Sequence, residues 1–375
     1  MATTPPLENT DRPFRVLTLD GGGMRGLYSA SLLSSLADRF VQQRGCKPLD
    51  IGKGFDLIAG TSTGGILGTA LAFGLPISRI IELYRNEGPK IFTDSMPPVE
   101  SRTDQARFVA WCIRNSRKAA NRSTALQTSL VGLFGAATVE ELYKNRRIAL
   151  CLTSVMMLRE RSRVFKTPHN PMKQLDNGYS LVDICMATSA APIYLPMAAL
   201  DSPADAKRFE VFVDGGLWAN NPVLIGLIEA LDLCPTKRPI EILSIGTCAA
   251  PEGNVFDKSE IDRGLIDWRV GAKALSVSMN AQASGSNFMA TFLATHLSRI
   301  GHSVRVTRLP ETAPSEEQMK YLRLDLASEK ALQAFASLGA NDGVEAYRLC
   351  QDETNADGKM ISGMFMSMPE LVAGG

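Results

Sequence analysis

A chain of 375 residues is long enough for one large α/β domain or two average ones, each with a substantial apolar core. Its 40 lysines and arginines nearly cancel its 39 aspartates and glutamates, which argues against a nucleic-acid polymer as partner. Seven scattered cysteines, with no C-x-x-C pair, argue against a disulfide framework or a cysteine zinc site, so we expect free thiols and no bound metal.

The first 13 residues are polar and predict a flexible N-terminus. They contain no basic stretch followed by an apolar one, so no secretory signal is visible and we expect a cytoplasmic protein. Residues 57–78 carry no charge over a length that could span a bilayer, but five glycines and a proline interrupt them. This segment therefore predicts a buried strand, a turn and a buried helix.

Apolar runs and helical spacings alternate along most of the chain. The expected strands are Phe14–Asp20, Phe55–Ala59, Arg147–Met157, Phe209–Asp214, Ile240–Thr247 and Val304–Leu309. The expected helices are Leu27–Val41, Gly64–Phe73, Leu181–Ala191, Lys273–Leu297 and one or more within Ala327–Cys350. This alternation predicts an α/β fold with a mostly parallel sheet covered by helices on both faces.

Residues 86–146 depart from this alternation because they lack strand patterning and are locally basic. They predict a helical cap inserted into one domain that spans residues 14–375. Residues 251–375 are the less diagnostic C-terminal part of that domain.

Gly60-Thr61-Ser62-Thr63-Gly64 fits the pattern G-x-S-x-G and lies between an apolar strand and an apolar helix. A nucleophile elbow occupies this position, since Gly60 and Gly64 permit the tight turn that lifts a serine hydroxyl out of the sheet. The sequence therefore predicts Ser62 as a nucleophile. A glycine-rich turn without chemistry is the open alternative.

A second glycine cluster, Asp20–Gly26, follows the first strand and contains the spacing G-x-G-x-x-G. A dinucleotide site would need an acidic residue at the tip of the next strand, and none is present. Backbone N–H groups of Gly21, Gly22 and Gly23, followed by Arg25, are better suited to hold an oxyanion. Both interpretations stay open on the residues alone.

Asp214-Gly215-Gly216 ends the expected strand Phe209–Asp214, where open α/β sheets place ligand-binding groups. An ordinary strand-ending turn would also explain this pair of glycines. The chain contains only three histidines. A Ser-His-Asp triad in chain order would have to use His296 or His302, neither of which has a special local signature.

Together and in this order, the three motifs resemble those of the patatin-like phospholipase family, whose members carry a D-G-G-G-x-R-G loop, a G-x-S-x-G elbow and a D-G-G/A motif. Met186–Pro196 and Asn220–Pro222 match as well, and the resemblance covers about residues 14–250. It implies a three-layer α/β/α fold with Ser62 as nucleophile and Asp214 as its only catalytic partner. It also implies an oxyanion hole at Gly21–Gly23, with Arg25 orienting the loop or meeting a phosphate, and fatty-acyl esters of glycerophospholipids as substrates.

Phe165–Asn170 and the helix that follows are also similar to bacterial patatin-like phospholipases that cyclic oligonucleotides switch on in anti-phage defence. This similarity implies a cyclic dinucleotide as activator, no other cofactor, action at the inner membrane surface and a homo-oligomer. Residues 102–122 carry six cations against one acid, and residues 123–139 carry no charge. They predict an interfacial lid, a cationic site for nucleotide phosphates, or a plain solvated helix face.

Three other functions stay open at this point. The first is a constitutive lipase or lysophospholipase, and the second is a non-hydrolytic nucleotide-binding protein that uses Gly21–Gly26. The third is a storage or scaffold protein that keeps the fold with incidental activity.

Overall fold

The structure is a computed structural model, which describes residues 12–170, 174–203, 205–234, 238–248, 257–310 and 314–372. Its strands are β1 Phe14–Leu19, β2 Leu57–Thr61, β3 Ala149–Met156, β4 Arg161–Lys166, β5 Ala198–Ser202, β6 Asp205–Asp214, β7 Ile240–Ile245 and β8 Val304–Leu309. Its helices are α1 Gly26–Arg44, α2 Thr63–Phe73, α3 Ile77–Ile91, α4 Arg102–Arg114, α5 Thr124–Phe134, α6 Val139–Arg146, α7 Leu181–Ser189, α8 Gly216–Ala219, α9 Val223–Leu233, α10 Ala272–Arg299, α11 Glu316–Met319, α12 Glu329–Gln351 and α13 Ala356–Met366. The predicted flexible N-terminus lies outside the described residues up to residue 11.

All eight strands form one sheet, in the order β5-β6-β3-β2-β1-β7-β8 with β4 paired to β3. The five strands from β3 to β8 along this order are parallel to one another. Strands β4, β5 and β6 run antiparallel to their neighbours. The prediction of a mostly parallel sheet is therefore confirmed, while β4 and β5 were not predicted.

Two apolar clusters cover the two faces of the sheet, because successive side chains of a strand point to opposite faces. On β1, Leu17 joins a cluster with helices α1, α2, α3, α7, α12 and α13. Val16 joins the other cluster, which includes Leu227 of α9 and Ala290 of α10. This arrangement is the predicted three-layer α/β/α fold.

The pairing along β3 brings two distant chain segments together. Strand β4 occupies one edge of β3 opposite residues 151–156, so β2 and β6 must share the other edge. Strand β2 pairs with that edge as far as Thr153, and β6 takes over at Ser154, opposite Asp214. The residue that follows β2 therefore lies beside the last residue of β6.

Residues 86–146 are largely helical, since they contain the end of α3 and all of α4, α5 and α6. Helix α4 packs through Phe108 and Trp111 onto Met96 and Ala272. Among the described residues, no helix combines the length and apolar character needed to span a bilayer. The lid function of this segment stays a prediction.

Candidate active site

Ser62 occupies the sharp turn between β2 and α2. Its backbone has φ 54° and ψ −125°, a conformation that serine rarely adopts. The turn is so tight that a Cβ atom on Gly64 would lie 2.3 Å from the carbonyl oxygen of Leu19. A strained serine on a strand-to-helix turn is the geometry of a nucleophile elbow, so the motif and the local structure agree.

Asp214, the last residue of β6, lies directly beside this turn. The Ser62 hydroxyl donates a hydrogen bond of 2.6 Å to Oδ2 of Asp214. The other carboxylate oxygen, Oδ1, accepts one of 2.7 Å from the backbone N–H of Gly216. Both side chains are buried, with 6% exposure for Ser62 and 5% for Asp214. The aspartate is therefore placed to take the serine proton.

Burial raises the pKa of Asp214 from 3.8 to about 6, although the hydrogen bonds from Ser62 and Gly216 act in the opposite direction. Burial raises it because a carboxylate loses hydration when it leaves water. A general base works best when its pKa is near the pH of the reaction. Desolvation thus makes this aspartate a stronger base than an exposed one.

Activity should depend on pH in the way this pKa predicts. Only ionised Asp214 can accept a proton, so the rate should be full above pH about 6 and fall about tenfold per pH unit below it. The measurement is kcat/KM for a water-soluble ester between pH 4.5 and 8. A rate that stays nearly constant down to pH 4.5, as the ordinary aspartate pKa of 3.8 would give, would contradict the assignment.

The oxyanion loop differs from the prediction in one respect. The Gly21 N–H donates to the carbonyl of Asn220 at 2.9 Å, so it is not available to an oxyanion. Gly22 and Gly23 line the pocket with Ser62, and within the described part of the chain their N–H groups have no acceptor. Of the three backbone N–H groups predicted to bind an oxyanion, two therefore stay available, those of Gly22 and Gly23.

Two charged residues of the same motif support this loop. Asp20 is buried and forms an ion pair with Arg308 of β8, which fixes the loop to the sheet. The Arg25 Nε–H donates to the carbonyl of Gly22 at 3.4 Å. Burial lowers the pKa of Arg25, and the negative charge of Asp20 opposes that effect. Arg25 thus contacts the Gly22 carbonyl, and its role in orienting the loop or meeting a phosphate stays a prediction.

The pocket above Ser62 is mainly apolar. Its apolar lining residues are Met24, Ile66, Leu83, Ile91, Phe92, Leu126, Leu195, Leu217, Leu275, Met279 and Leu324. Such a lining suits a fatty-acyl chain, because burial of each methylene contributes about 0.8 kcal/mol. From residues 102–139, Leu126 alone belongs to this lining, while the basic stretch of residues 102–122 does not.

The three histidines, all within the described residues, lie outside the lining of this pocket. His169 is buried and bonded to Thr167 and Glu229. His296 bonds to the carbonyl of Phe292 on an exposed part of α10, and His302 follows the end of that helix. The geometry therefore favours a Ser-Asp dyad over a triad.

Cys151, His169 and Glu229 are the one group among the described residues with metal-ligand spacing. The carboxylate of Glu229 is already occupied, because Lys166 and His169 both bond to it. These two contacts keep the pKa of Glu229 low, at about 2, against the opposing effect of burial. We interpret the group as a buried ion-pair network.

Thr188 contacts the nucleophile turn, although none of the three motifs contains it. Its hydroxyl accepts a hydrogen bond of 2.9 Å from the Ser62 N–H and donates one of 2.6 Å to the carbonyl of Thr153. It thereby holds the strained turn against β3. The segment Met186–Pro196 supported the family resemblance, but nothing in its pattern assigned a role to this threonine.

We expect Thr188→Val to lower kcat about tenfold with little change in KM, because the nucleophile loses its support while the acyl pocket is untouched. Thr69→Val is the control, since the Thr69 hydroxyl is also buried but bonds to the carbonyl of Gly65 within α2 and to the side chain of Cys185, not to the nucleophile turn. Steady-state kinetics on a soluble ester would decide. Equal effects of the two substitutions would reduce Thr188 to a structural role.

Comparison with known proteins places this geometry in a family. The family model described as patatin-like phospholipase matches residues 17–227, more than half of the chain, including Ser62 and Asp214. The family resemblance of the three motifs is therefore confirmed.

Curated relatives agree with the family match. Over 357 residues, the chain is 30% identical to a cGAMP-activated phospholipase of Vibrio cholerae, covering 92% of this chain and 95% of that protein. It is 33% identical to a cGAMP-activated phospholipase of Pseudomonas aeruginosa, covering 73% and 77%. It is 28% identical to a cUMP-AMP-activated phospholipase of Escherichia coli, covering 64% and 67%. The chain thus belongs to the patatin-like phospholipase family and is a lipid ester hydrolase.

Proposed function

We propose that the protein cleaves fatty-acyl esters of membrane glycerophospholipids with Ser62 as nucleophile and Asp214 as the only general base. The observation that carries this proposal is the 2.6 Å hydrogen bond between the two side chains at an apolar pocket that no described histidine lines. A buried carboxylate with a raised pKa replaces the imidazole of a triad.

The first half of the reaction forms an acyl-enzyme. Asp214 accepts the proton of Ser62 as its Oγ attacks the ester carbonyl carbon. The N–H groups of Gly22 and Gly23 stabilise the oxyanion, and the positive N-terminal end of the α2 dipole stabilises it further. The protonated Asp214 then gives its proton to the leaving oxygen, and the lysophospholipid departs.

The second half regenerates the enzyme. Asp214, again ionised, takes a proton from a water molecule that attacks the acyl carbonyl. The same two amides hold the second oxyanion until the bond to Ser62 breaks and the fatty acid leaves. Removing one such donor typically costs about 2.7–4 kcal/mol of transition-state stabilisation.

Activation by a cyclic dinucleotide is the second part of the proposal. Relatives from Vibrio cholerae and Pseudomonas aeruginosa are named cGAMP-activated, and one from Escherichia coli is named cUMP-AMP-activated. The first of these aligns along almost the whole chain, so the region that senses the nucleotide is expected to be shared. Such a switch suits anti-phage defence, in which hydrolysis of the cell's own membrane must await a signal.

Contact with the inner surface of the membrane is the third part. Exposed apolar side chains lie near pocket-lining residues in the sequence: Ile193 and Met197 flank Tyr194 and Leu195, and four more precede Ala272, namely Leu265, Ile266, Trp268 and Val270. Apolar and tryptophan side chains of this kind enter the boundary between headgroups and acyl chains. The 102–122 segment exposes its cations on α4 but buries Phe108 and Trp111, so it supports a headgroup contact better than an inserted lid.

Fatty-acid release from mixed phospholipid vesicles tests the proposal, with wild type compared with Ser62→Ala in the presence and absence of cGAMP or cUMP-AMP. Ser129→Ala is the control, because its hydroxyl bonds only to a carbonyl within α5. We expect release by wild type and the control, dependent on one nucleotide, and none by Ser62→Ala. Equal release without nucleotide would leave a constitutive lipase or lysophospholipase.

A further inference from the structure

A second pocket adjoins the catalytic pocket and shares part of its wall. The shared lining residues are Tyr194, Ala272, Ser276 and Leu324. Four cationic side chains also line this second pocket, namely Arg25, Arg269, Lys273 and Arg323. We call it the cationic pocket. It joins the oxyanion loop, the start of α10 and residues 322–325.

The four cations of the cationic pocket outnumber the acidic side chains that line it. Asp325 is the only acidic side chain among its described lining residues, and it is already bonded to the N–H of Met96 and to Arg323. Glu100 attracts Arg269 from outside the lining. Neither Arg269 nor Lys273 has a side-chain hydrogen-bond acceptor within the described part of the chain.

The cations also repel one another. Burial lowers the pKa of Lys273, and the charges of Arg269 and Arg263 lower it further. Burial likewise lowers the pKa of Arg269, and the charge of Arg323 adds to that effect. Like charges held close together without acceptors are costly unless an anion joins them. The pocket is therefore complementary to a negatively charged ligand.

We propose that the cationic pocket binds a phosphodiester group. Arginine guanidinium groups match phosphate oxygens in pairs, and an ammonium supplies a further charged donor. Tyr194 lines both this pocket and the acyl pocket, and its hydroxyl lies near Asp325, Arg323 and Arg269. Two ligands offer this chemistry, the headgroup phosphate of a lipid in the catalytic pocket and a cyclic dinucleotide. The inference rests on the proposed function and deepens it.

Occupation of the pocket would act on the catalytic loop. Arg25 donates through Nε to the Gly22 carbonyl at a long 3.4 Å, and it also lines the cationic pocket. On the other side, the Leu324 carbonyl accepts from the N–H of Met24 at 2.8 Å. A phosphodiester bonded to both Arg25 and Arg323 would stabilise these two contacts of the loop. It would thereby fix the positions of the Gly22 and Gly23 N–H groups.

The test compares Arg269→Gln/Lys273→Gln with wild type by calorimetric titration of cGAMP and by kinetics on two water-soluble esters. One ester is diheptanoylphosphatidylcholine, and the other is p-nitrophenyl butyrate, which has no phosphate. Arg299→Gln/Lys330→Gln is the matched control, because both of its residues are exposed and outside the pocket. If cGAMP activates the wild type, the kinetics are run at saturating cGAMP.

We expect the pocket variant to lose about tenfold or more in one of two quantities, since two charged donors are removed. A higher Kd for cGAMP identifies the nucleotide as the ligand. An unchanged Kd, with kcat/KM on the phospholipid lowered relative to the butyrate ester, identifies the lipid headgroup. If neither quantity differs from the control, the inference is overturned.

Failure of the proposed function would give a different pattern. A wild type that hydrolyses neither ester would refute the lipid hydrolase mechanism, whereas cGAMP binding lost only in the pocket variant would still support the pocket. A wild type that binds no cGAMP would refute activation by this nucleotide. The comparison of the two esters would then decide the inference by itself.

Discussion

Asp214→Asn should lower kcat/KM by about 10³-fold on any ester, because the variant keeps the shape of the side chain and loses the carboxylate that accepts the Ser62 proton in the proposed mechanism. The asparagine oxygen can still accept the hydrogen bond from the Gly216 N–H that Asp214 accepts at 2.7 Å. The fold of the turn should therefore survive. The measurement is initial rates on a soluble ester at pH 7.5.

The same substitution should raise stability. Burial raises the pKa of Asp214 from 3.8 to about 6, so the folded protein binds this proton more tightly than the unfolded chain does. Its stabilising contribution is full below pH about 4 and is lost as the pH rises through about 6. At pH 7.5 the charged carboxylate costs about 3 kcal/mol, which asparagine would relieve in large part.

Asp201→Asn is the control, because Asp201 is exposed on β5 and should change neither rate nor stability. Denaturant titrations at pH 5 and pH 7.5 would measure the free energy of unfolding of all three proteins. Hydrolysis that survives in Asp214→Asn would contradict the role of Asp214 as the base. A variant that no longer folds would contradict the predicted gain in stability.

Gly64→Ala should destabilise the protein by about 3 kcal/mol, the upper part of the range for overpacking. The added Cβ atom would lie 2.3 Å from the carbonyl oxygen of Leu19 and 2.5 Å from that of Asp20. Both contacts are backbone atoms, so no side chain can rotate away. Relief would require β1 and the nucleophile turn to separate, and activity should fall with stability.

Gly132→Ala provides a matched control for this prediction. Gly132 lies within α5, and a Cβ atom there would meet nothing within 4 Å. Alanine favours a helix by up to about 1 kcal/mol over glycine, so this variant should be slightly more stable. Urea denaturation of both variants gives the comparison. Similar unfolding free energies for the two would refute the packing argument at Gly64.

Local patterns predicted the elements that hold the nucleophile and the motifs that meet there. The strand, glycine turn and helix around Ser62 were predictable because each has a signature within a few residues. The contact between Ser62 and Asp214 was not derivable from spacing, since it depends on β2 and β6 sharing one edge of β3. Only the resemblance to a family joined these two residues in advance.

Three other features were not predicted, each for its own physical reason. Strand β4 carries alternating cations in Arg161 and Arg163, so its apolar signal was too weak to predict it. The capture of the Gly21 N–H by Asn220 is a contact between residues far apart in the chain. The helix α13, Ala356–Met366, lies beyond the last helical pattern that was predicted.

Covalent labelling with a long-chain alkyl fluorophosphonate tests the central claim most directly, because such a reagent reacts with an activated serine. Peptide mass spectrometry of the labelled protein would locate the adduct. We predict one adduct, on the peptide that contains Ser62, with labelling much slower in Asp214→Asn and absent in Ser62→Ala. An adduct on another residue, or labelling that proceeds equally fast without Asp214, would contradict a Ser62–Asp214 dyad.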